Sequence, residues 1–320
     1  MYDKHKILLN AKKIFIIYFL IIYIYIHIFI ENNHLLKIKE KQNLNNDLKV
    51  CICLLCKEEN QYIQYFLNIY KNLGFNHIFL YDNNDINGEH IEDVISKEIK
   101  QNFVTIINYR GFRGNFGGPQ MPAYYDCFEK NHLFYDWIAF FDTDEYLTLN
   151  PNNLKIQQFL NNPRYSNCES IKINWKVFSD NGQLAFEDRP LNERFTEEVN
   201  KYNKINEVFK VILRGNLSKY SLRKSFNSHD IFLSNKSCDS NGKIRYEFHI
   251  KPEYKYAKLN HYYTKSIKEY CKKLKRGRAF LNKTLLSNLK HHYFLYFFLF
   301  NKKTNEKVAI FNNEFNTTFK

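Results

Sequence analysis

The sequence predicts an α/β fold with a mostly parallel central sheet. Three short apolar runs, Val50–Leu55, His77–Tyr81 and Val104–Ile107, alternate with segments of helical periodicity, and such alternation is typical of parallel strands joined by crossover helices. The chain has 320 residues, of which 44% are hydrophobic and 17% aromatic, so it can bury the core of a full domain. This composition excludes a disordered or collagen-like protein.

The predicted elements follow one another in a regular order. Apolar side chains recur at helical spacing after the first strand, and Gly74 is placed to end that helix. A fourth apolar run, Trp137–Phe141, ends abruptly in acidic residues. The predicted helices cover about 62–73, 91–100 and 120–129, and a basic helical stretch near 266–280 follows a region of short β-like segments.

An uncharged run near the N-terminus predicts a membrane anchor. Residues 14–30 are built from Ile, Phe, Tyr and Leu, interrupted by His27, and this length just spans a bilayer. Four lysines precede the run and Glu31 follows it. The positive-inside rule therefore predicts a cytoplasmic tail at 1–12, a single span at 13–30 and type II topology. A cleaved signal peptide is the alternative, but no small-x-small cleavage site follows the run.

The rest of the chain divides into a stem, a domain and an extension. Residues 31–48 are polar and lack an apolar period, as expected of a stem. Residues 49–290 form the predicted domain and 291–320 a C-terminal extension, whose apolar run Phe294–Phe300 is too short to cross a membrane. Four sequons agree with a lumenal domain: Asn216, Asn235, Asn282 and Asn316.

The positive charge is regional. Residues 201–320 hold 26 Lys and Arg against 8 Asp and Glu, whereas residues 1–200 hold 21 against 25, and together they give the net charge of +14. The basic region lacks aromatic residues interleaved as in nucleic-acid-binding motifs, and the predicted anchor places it across the membrane. No nucleic-acid partner is therefore expected.

The seven cysteines indicate core packing more than metal binding. Cys51 and Cys53, which with Cys56 have the close spacing of a metal cluster, alternate within an apolar run where cysteine packs as a small hydrophobe. An oxidising compartment would allow disulfides whose pairing the sequence leaves open. The cysteines concerned are Cys127, Cys168, Cys238 and Cys271.

An acidic cluster, Asp142-Thr-Asp144-Glu145, directly follows the fourth strand. Open α/β sheets bind ligands beyond the carboxyl ends of their strands. In an extended chain Asp142 and Asp144 point to the same side and repel each other unless a cation lies between them. Such hard oxygen ligands suit Mn²⁺ or Mg²⁺, whose remaining positions substrate phosphates commonly fill. An acidic turn that caps the next element is the structural alternative.

Two other segments strengthen this interpretation. Asp82 and Asn83 follow the second strand and should reach the same sheet edge, where an acid can accept hydrogen bonds from a ribose or a base, although an Asx-rich turn has the same composition. The basic segment 265–278 could clamp a diphosphate, although such a run can equally be a solvated helix face.

A series of ordered motifs between residues 50 and 278 resembles glycosyltransferase family 92 and related family-2-like transferases of the GT-A fold. Glu58 stands where the family usually has Asn, and Tyr146 replaces the commoner Phe. The matching segments are Cys56–Glu59 with Tyr62-Ile63, Gly74–Asp85, Gln120 with Ala123-Tyr124 and Cys127, Trp137–Leu147, Trp175 with Phe178 and Asn181-Gly182, Glu193–Phe195, His261–Tyr263, Lys265-Ser266, Glu269-Tyr270 and Arg276-Gly277.

The resemblance implies a GT-A-type nucleotide-diphospho-sugar transferase fold preceded by a single N-terminal transmembrane helix. It implies that Asp142, Asp144 and His261 bind Mn²⁺ (or Mg²⁺), although His261 could instead be a packing residue between aromatic neighbours. The donor nucleotide and its diphosphate would contact five residues. These are Lys57, Asp82, Asn83, Asp142 and Arg276.

The implied reaction is an inverting transfer, which needs a base on the face opposite the leaving group. Glu193 is the first candidate for this catalytic base, with Asp180 and His229 as rivals. The expected donor is a UDP-sugar, with galactose favoured by family precedent, and the expected acceptor is a glycan of a glycoprotein or glycolipid. The resemblance implies a Golgi or other secretory membrane if the host is eukaryotic.

Other functions use parts of the same pattern. A noncatalytic sugar- or nucleotide-binding membrane protein on this fold would bind ligand without turnover. A glycoside hydrolase would also place two carboxylates beside a sugar but would need no metal ion. Metal dependence and turnover of a nucleotide-sugar therefore separate these classes.

Overall fold

A single mixed sheet organises the part of the chain that the computed structural model describes, namely residues 48–114, 118–217, 228–229, 236–247, 249–276 and 290–318. Lys49–Lys320 forms one compact unit. The predicted tail and anchor, the predicted stem as far as residue 47, and the sequons at Asn235 and Asn282 lie outside the described residues. Within those residues, no helix has the length and apolar character needed to cross a bilayer.

The first half of the fold follows the predicted alternation. The first helix, Asn60–Asn72, buries Phe66 and Tyr70 against the sheet, and Gly74, with φ +91°, follows its end as predicted. The elements are β1 (Val50–Cys56), α1 (Asn60–Asn72), β2 (His77–Asp82), α2 (Glu92–Lys100), β3 (Val104–Asn108), α3 (Gln120–Asn131) and β4 (Trp137–Phe140). β1 pairs in parallel with β2 and β4, and β2 pairs in parallel with β3.

The second half contains shorter and less regular elements. Its strands are β5 (Glu145–Leu149), β6 (Ser170–Val177), β7 (Phe209–Arg214), β8 (Ser237–Asp239) and β9 (Ala257–His261). Its helices are α4 (Ile156–Leu160), α5 (Leu191–Arg194), α6 (Ile267–Lys275), α7 (Lys290–Phe298) and α8 (Asn305–Thr318), with 3₁₀ turns at Pro163–Tyr165 and Lys204–Glu207.

The strand order is β3-β2-β1-β4-β7-β6-β9-β5, and β8 pairs with the first part of β6. β7 is antiparallel to β4 and β6, and β5 is antiparallel to β9. The expectation of a mostly parallel sheet therefore holds for β1 to β4, whereas the second half is mixed because β5 and β7 run against their neighbours. The carboxyl ends of β1, β2, β4, β6 and β9 consequently meet at one edge.

The cysteines fall into two groups. Cys168 and Cys238 form a disulfide that links the start of β6 to β8. Cys51 and Cys53 are free and fully buried in the core, which confirms the packing interpretation of their alternation. Three further free cysteines are also buried: Cys56, Cys127 and Cys271.

The predicted C-terminal extension packs on α6. Tyr293 and Phe297 of α7 and Phe311 of α8 share a buried cluster with Tyr270 and Leu274 of α6. This packing covers the apolar face of the helix whose other side bears lysines. Residues 290–318 are thus integral to the core of the unit that holds the site.

Candidate active site

A cleft of about 600 Å³ opens at the edge where the strand ends meet. Leu55 of β1 and Asp142, just after β4, line it. The chain order reverses between these two strands, since β2 and β3 lie on one side of β1 and β4 on the other. Ligands of open α/β sheets bind at such switch points. Six predicted site residues and rivals also line the cleft: Lys57, Asn83, Asp144, His229, His261 and Arg276.

Asp142 is held by donors from two elements. The Lys210 ammonium at the start of β7 lies 2.8 Å from its Oδ2, and the Gln120 amide of α3 donates to its Oδ1 at 2.8 Å. Burial alone would raise the pKa of Asp142, but the charge and hydrogen bond of Lys210 oppose burial, and the pKa of Asp142 is lowered. Asp142 is therefore an ionised carboxylate with part of its surface open to the cleft.

Asp144 lies among cations from the C-terminal part of the chain. Its Oδ2 is 2.8 Å from Lys273 Nζ and 3.8 Å from Lys265 Nζ, and its Oδ1 is 3.5 Å from His261 Nε2. Burial opposes ionisation, but Lys273 and Lys265 hold the pKa of Asp144 well below its ordinary value. Burial lowers the pKa of His261, so this imidazole is neutral near pH 7.

Glu145 fixes the geometry of the acidic turn. Its Oε2 accepts a hydrogen bond from the Asp142 backbone N–H at 2.8 Å, and its Oε1 accepts one from Trp175 Nε1 at 2.8 Å. Burial raises the pKa of Glu145 well above its ordinary value. Glu145 also sits opposite His261 in the register of β5 and β9. This strand pairing brings His261 beside the aspartates despite their distance in sequence.

Lys210 and the role of Glu145 were not predicted from the sequence. The signal for Lys210 was its isolation in the apolar run Phe209–Leu213, because a lysine in a buried strand requires a charged partner. Its partner is Asp142, with Glu145 Oε2 at 3.8 Å. The pairing depends on the antiparallel contact of β4 with β7, which local sequence does not encode.

Of the predicted pair Asp82 and Asn83, Asn83 lines the cleft and Asp82 does not. Asp82 accepts hydrogen bonds from Arg110 at 2.7 Å and from the Asn84 amide at 2.7 Å, and it is not among the cleft-lining residues. Asn83 lines the cleft and donates to the carbonyls of Tyr109 and Phe112 at 2.9 Å and 2.7 Å. Asp82 therefore organises the loop that presents Asn83.

Lys57 and Arg276 meet at the cleft wall beyond β1. The Arg276 guanidinium donates to the carbonyl of Lys57 and to the carboxylate of Glu59. Lys57 itself pairs with Asp85 at 3.0 Å. These contacts join the loop after β1 to the end of α6, so the two predicted donor-binding cations are brought together.

The three candidate bases lie in different places. Glu193 is exposed on α5, and Asp180 is buried beside Lys307 of α8, at 2.6 Å, where it lines a second cavity of about 630 Å³. The structure brings neither to the cleft, because the segment after β6 packs against the C-terminal helices. His229 does line the cleft. Its Nδ1 lies 3.0 Å from the Phe209 carbonyl, which can only accept a hydrogen bond, so the proton is on Nδ1.

The His229 imidazole is uncharged. Burial, with the nearby Lys210 charge, lowers its pKa to about 3. Its ring packs edge-on against Trp175, at a centroid distance of 5.1 Å, and the His261 ring lies 4.1 Å from the same indole. Two neutral imidazoles thus flank one indole at the cleft.

The predicted metal ligands lie together at the cleft. Asp142, Asp144 and His261 share the cleft, and carboxylate oxygens with one imidazole nitrogen are donors that Mn²⁺ accepts. His261 Nδ1 is buried and has no hydrogen-bond partner. In the described part of the chain, no three His, Cys, Asp or Glu side chains converge as a finished metal site. Lys210 and Lys273 each hold one aspartate oxygen, so the donors fit a divalent ion by chemistry while the lysines balance their charge.

Comparison with solved structures gives distant likenesses. S. aureus TarS 1-349 in complex with UDP-GlcNAc is 15% identical, with a TM-score of 0.41 over 85% of this chain and 82% of that one. The galactosyltransferase LgtC in complex with donor and acceptor sugar analogues is 8% identical, with a TM-score of 0.31 over 67% and 87%. The chain spans 65% of TarS 1-349 in its UDP complex and 44% of the longer TarS structure.

The sequence has no significant match among curated proteins. A family description does match, and it covers most of the unit that contains the cleft. Residues 46–290 match the model of glycosyltransferase family 92, in agreement with the ordered motifs from Cys56 to Gly277. The chain therefore belongs to glycosyltransferase family 92.

Proposed function

We propose that the chain is a metal-dependent glycosyltransferase that moves a sugar from a UDP-sugar donor to a hydroxyl group of a glycan. The observation that carries the proposal is the placement of Asp142 and Asp144 at the strand-end cleft of a family 92 domain, with Lys273 beside Asp144. Carboxylates bind the metal ion, and ammonium groups donate hydrogen bonds to the phosphate oxygens of a metal-bound diphosphate. The family resemblance favours galactose as the sugar.

The donor lies along the strand ends in this proposal. The nucleoside occupies the side of the cleft formed by Asn83 and Lys57, after β2 and β1. The diphosphate lies toward Lys273 of α6 and Arg276, which directly follows that helix. Phosphate oxygens accept hydrogen bonds from ammonium and guanidinium groups. In the ligand-free chain these cations pair with Asp144 and with Glu59.

Mn²⁺ (or Mg²⁺) would be held by Asp142, Asp144 and His261. When bound there, the ion supplies Lewis-acid stabilisation of the negative charge on the departing diphosphate. Lys273 and Arg276 stabilise the same charge electrostatically from the protein side. Lys210 and Glu145 keep the aspartates in position through the contacts described above.

The acceptor hydroxyl must lose a proton as the new glycosidic bond forms and the bond to the diphosphate breaks. We propose His229 as the base, because it lines the cleft whereas Glu193 and Asp180 do not. With the hydrogen on Nδ1, the Nε2 lone pair accepts the proton from the hydroxyl oxygen. The incoming diphosphate adds negative charge near His229, which raises its basicity relative to the ligand-free site.

The compartment proposed is the lumen of a secretory membrane, with a type II anchor at 13–30 and the Golgi as the site in a eukaryotic host. The disulfide between Cys168 and Cys238 supports an oxidising environment. The acceptor is then a glycan of a glycoprotein or glycolipid.

The test is the unfolding temperature of the full-length chain in detergent with UDP or GDP, each with and without Mn²⁺. We expect UDP to raise the unfolding temperature only when Mn²⁺ is present, and Asp144→Ala to abolish this rise. The matched control Asp93→Ala, an exposed carboxylate on α2, should keep the rise. No rise with either nucleotide in the folded chain would overturn the proposal. Binding of UDP-galactose with neither transfer of galactose to a glycan nor release of UDP would instead favour the noncatalytic binding protein.

A further inference from the structure

Tyr296 lines the cleft although it lies outside the segment that matches the family. Its ring meets that of Tyr263 edge-on, with centroids 5.3 Å apart. The Tyr263 carbonyl accepts a hydrogen bond from Lys273 at 3.2 Å, and the Lys273 ammonium lies 4.3 Å from the Tyr263 ring centroid. The two rings are therefore next to the cation that pairs with Asp144.

The helix that carries Tyr296 is fixed by its other side. Tyr293 and Phe297 of α7 are buried, and the Phe297 ring lies 5.1 Å from that of Tyr270 on α6. Tyr296 also packs edge-on against Phe300 at 5.2 Å. A ring anchored in this way loses little conformational entropy when a ligand covers it.

The position of the two rings along the sheet edge decides which part of a substrate they face. Asn83 follows β2, Asp142 follows β4 and Tyr263 follows β9, and in the sheet β4 lies between β2 and β9. In the proposed donor pose the nucleoside lies toward Asn83 and the diphosphate near Asp142 and Lys273. The groups beyond the diphosphate, toward Tyr263, are sugars.

We propose that Tyr296, together with Tyr263, forms an aromatic platform for a sugar ring at the end of the cleft opposite the nucleotide. The inference rests on the proposed function. Aromatic rings bind the apolar C–H face of a pyranose, and a tyrosine hydroxyl adds a polar contact. The donor sugar and the acceptor sugar share this chemistry. In both cases a residue of the C-terminal helices, outside the family match, sets the specificity of the cleft.

The experiment measures saturation transfer from the full-length protein to sugar C–H protons by NMR. The donor arm uses UDP-galactose, UDP-glucose and UDP-N-acetylglucosamine, with UDP as the reference. The acceptor arm uses methyl pyranosides of galactose, glucose, N-acetylglucosamine and fucose on the UDP-loaded protein. The variants are Tyr296→Ala, Tyr296→Phe and the control Leu295→Ala, an exposed residue of the same helix.

We expect Tyr296→Ala to weaken binding of a sugar probe by about 10-fold or more, which is the usual effect of losing an apolar contact in a specificity pocket. Binding of UDP should stay unchanged. Tyr296→Phe should retain most of the affinity, and Leu295→Ala all of it. Loss confined to UDP-sugars assigns the platform to the donor, and loss confined to methyl pyranosides assigns it to the acceptor.

Unchanged sugar binding in Tyr296→Ala overturns the platform. So does equal loss in Leu295→Ala, or absence of saturation of every sugar in a protein that binds UDP. Failure to bind UDP at all points instead to failure of the proposed function, so the two failures are distinguishable.

Discussion

Lys210 Nζ lies 2.8 Å from Asp142 Oδ2, and the Lys210 side chain has no exposed surface. A buried ammonium is stable only with a partner of opposite charge. Asp142 is therefore both a member of the cleft and the counter-ion of a core lysine. This relationship ties the proposed chemistry to the stability of the fold.

Lys210→Met should destabilise the protein. Removing one partner of a buried ion pair leaves the Asp142 carboxylate without its counter-ion, and such losses are about 3 to 5 kcal/mol. Urea unfolding followed by circular dichroism measures the change. Lys204→Met, at an exposed position of the turn before β7, should alter stability by less than about 0.5 kcal/mol. Equal stability of the two variants would contradict the structural role of Lys210.

Lys273→Ala should weaken binding of UDP but not of uridine, because the ammonium is placed for the diphosphate. Charge-assisted hydrogen bonds contribute about 1.5 to 3 kcal/mol, so the Kd for UDP should rise about 10- to 100-fold. Isothermal titration calorimetry with UDP and with uridine measures the two Kd values. Lys272→Ala is the matched control, since Lys272 lies on the same helix, is 45% exposed and faces Glu89 at 3.6 Å. An equal loss of uridine binding would show that Lys273 acts on the fold instead.

Glu269 should make stability depend on pH. Its carboxylate accepts two hydrogen bonds from Arg194, at 2.9 Å and 2.6 Å, and one from Tyr62 at 2.7 Å. Burial alone would raise the pKa of Glu269, but hydrogen bonds from Arg194, Ser266 and Tyr62 lower it. The stabilisation that ionised Glu269 provides is therefore complete above its unfolded-state pKa of about 4.3. It is lost as the pH falls through the lower pKa that Glu269 has in the folded state.

The measurement is the free energy of unfolding of the original chain and of Glu269→Gln from neutral to acidic pH. The difference between them should stay constant above about pH 5 and shrink below about pH 4. Glu193→Gln, at an exposed position of α5, should follow the original chain throughout. A difference that grows on acidification would mean that Glu269 is not ionised in the folded state.

Replacing both Cys168 and Cys238 by Ser should lower stability by about 2 to 4 kcal/mol, because their disulfide closes a loop with a sequence separation of 70. Dithiothreitol should lower the unfolding midpoint of the original chain to that of the double variant and leave the double variant unchanged. Equal sensitivity of both proteins to dithiothreitol would assign the effect to another group.

Phe297→Ala should cost about 3 to 5 kcal/mol, because Phe297 is fully buried between α7 and α6. Leu299→Ala, in which the residue is 61% exposed, should have little effect. Thermal unfolding with both variants shows whether the C-terminal helices stabilise the catalytic unit. Similar midpoints for the two variants would mean that these helices unfold independently.

The local part of the fold could be predicted from the sequence and the long-range part could not. The elements from β1 to β4 are marked by apolar runs and helical periodicity, and the acidic cluster after β4 lies at the cleft as expected. The directions of β5 and β7 depend on pairing with distant strands, so the mixed half of the sheet was not predicted. For the same reason Asp180 was expected at the site, whereas its position depends on Lys307 of the last helix.

The pairing of Glu145 with His261 in the β5–β9 register has a consequence for biosynthesis. A ribosome releases the acidic turn long before it releases β9 and α6, so the nascent chain first carries Asp144 without its partners His261, Lys265 and Lys273. Until then the edge of β5 has no neighbouring strand, and such an edge is prone to association with other chains. The acidic turn of the site is therefore completed only after β9 and α6 have been synthesised.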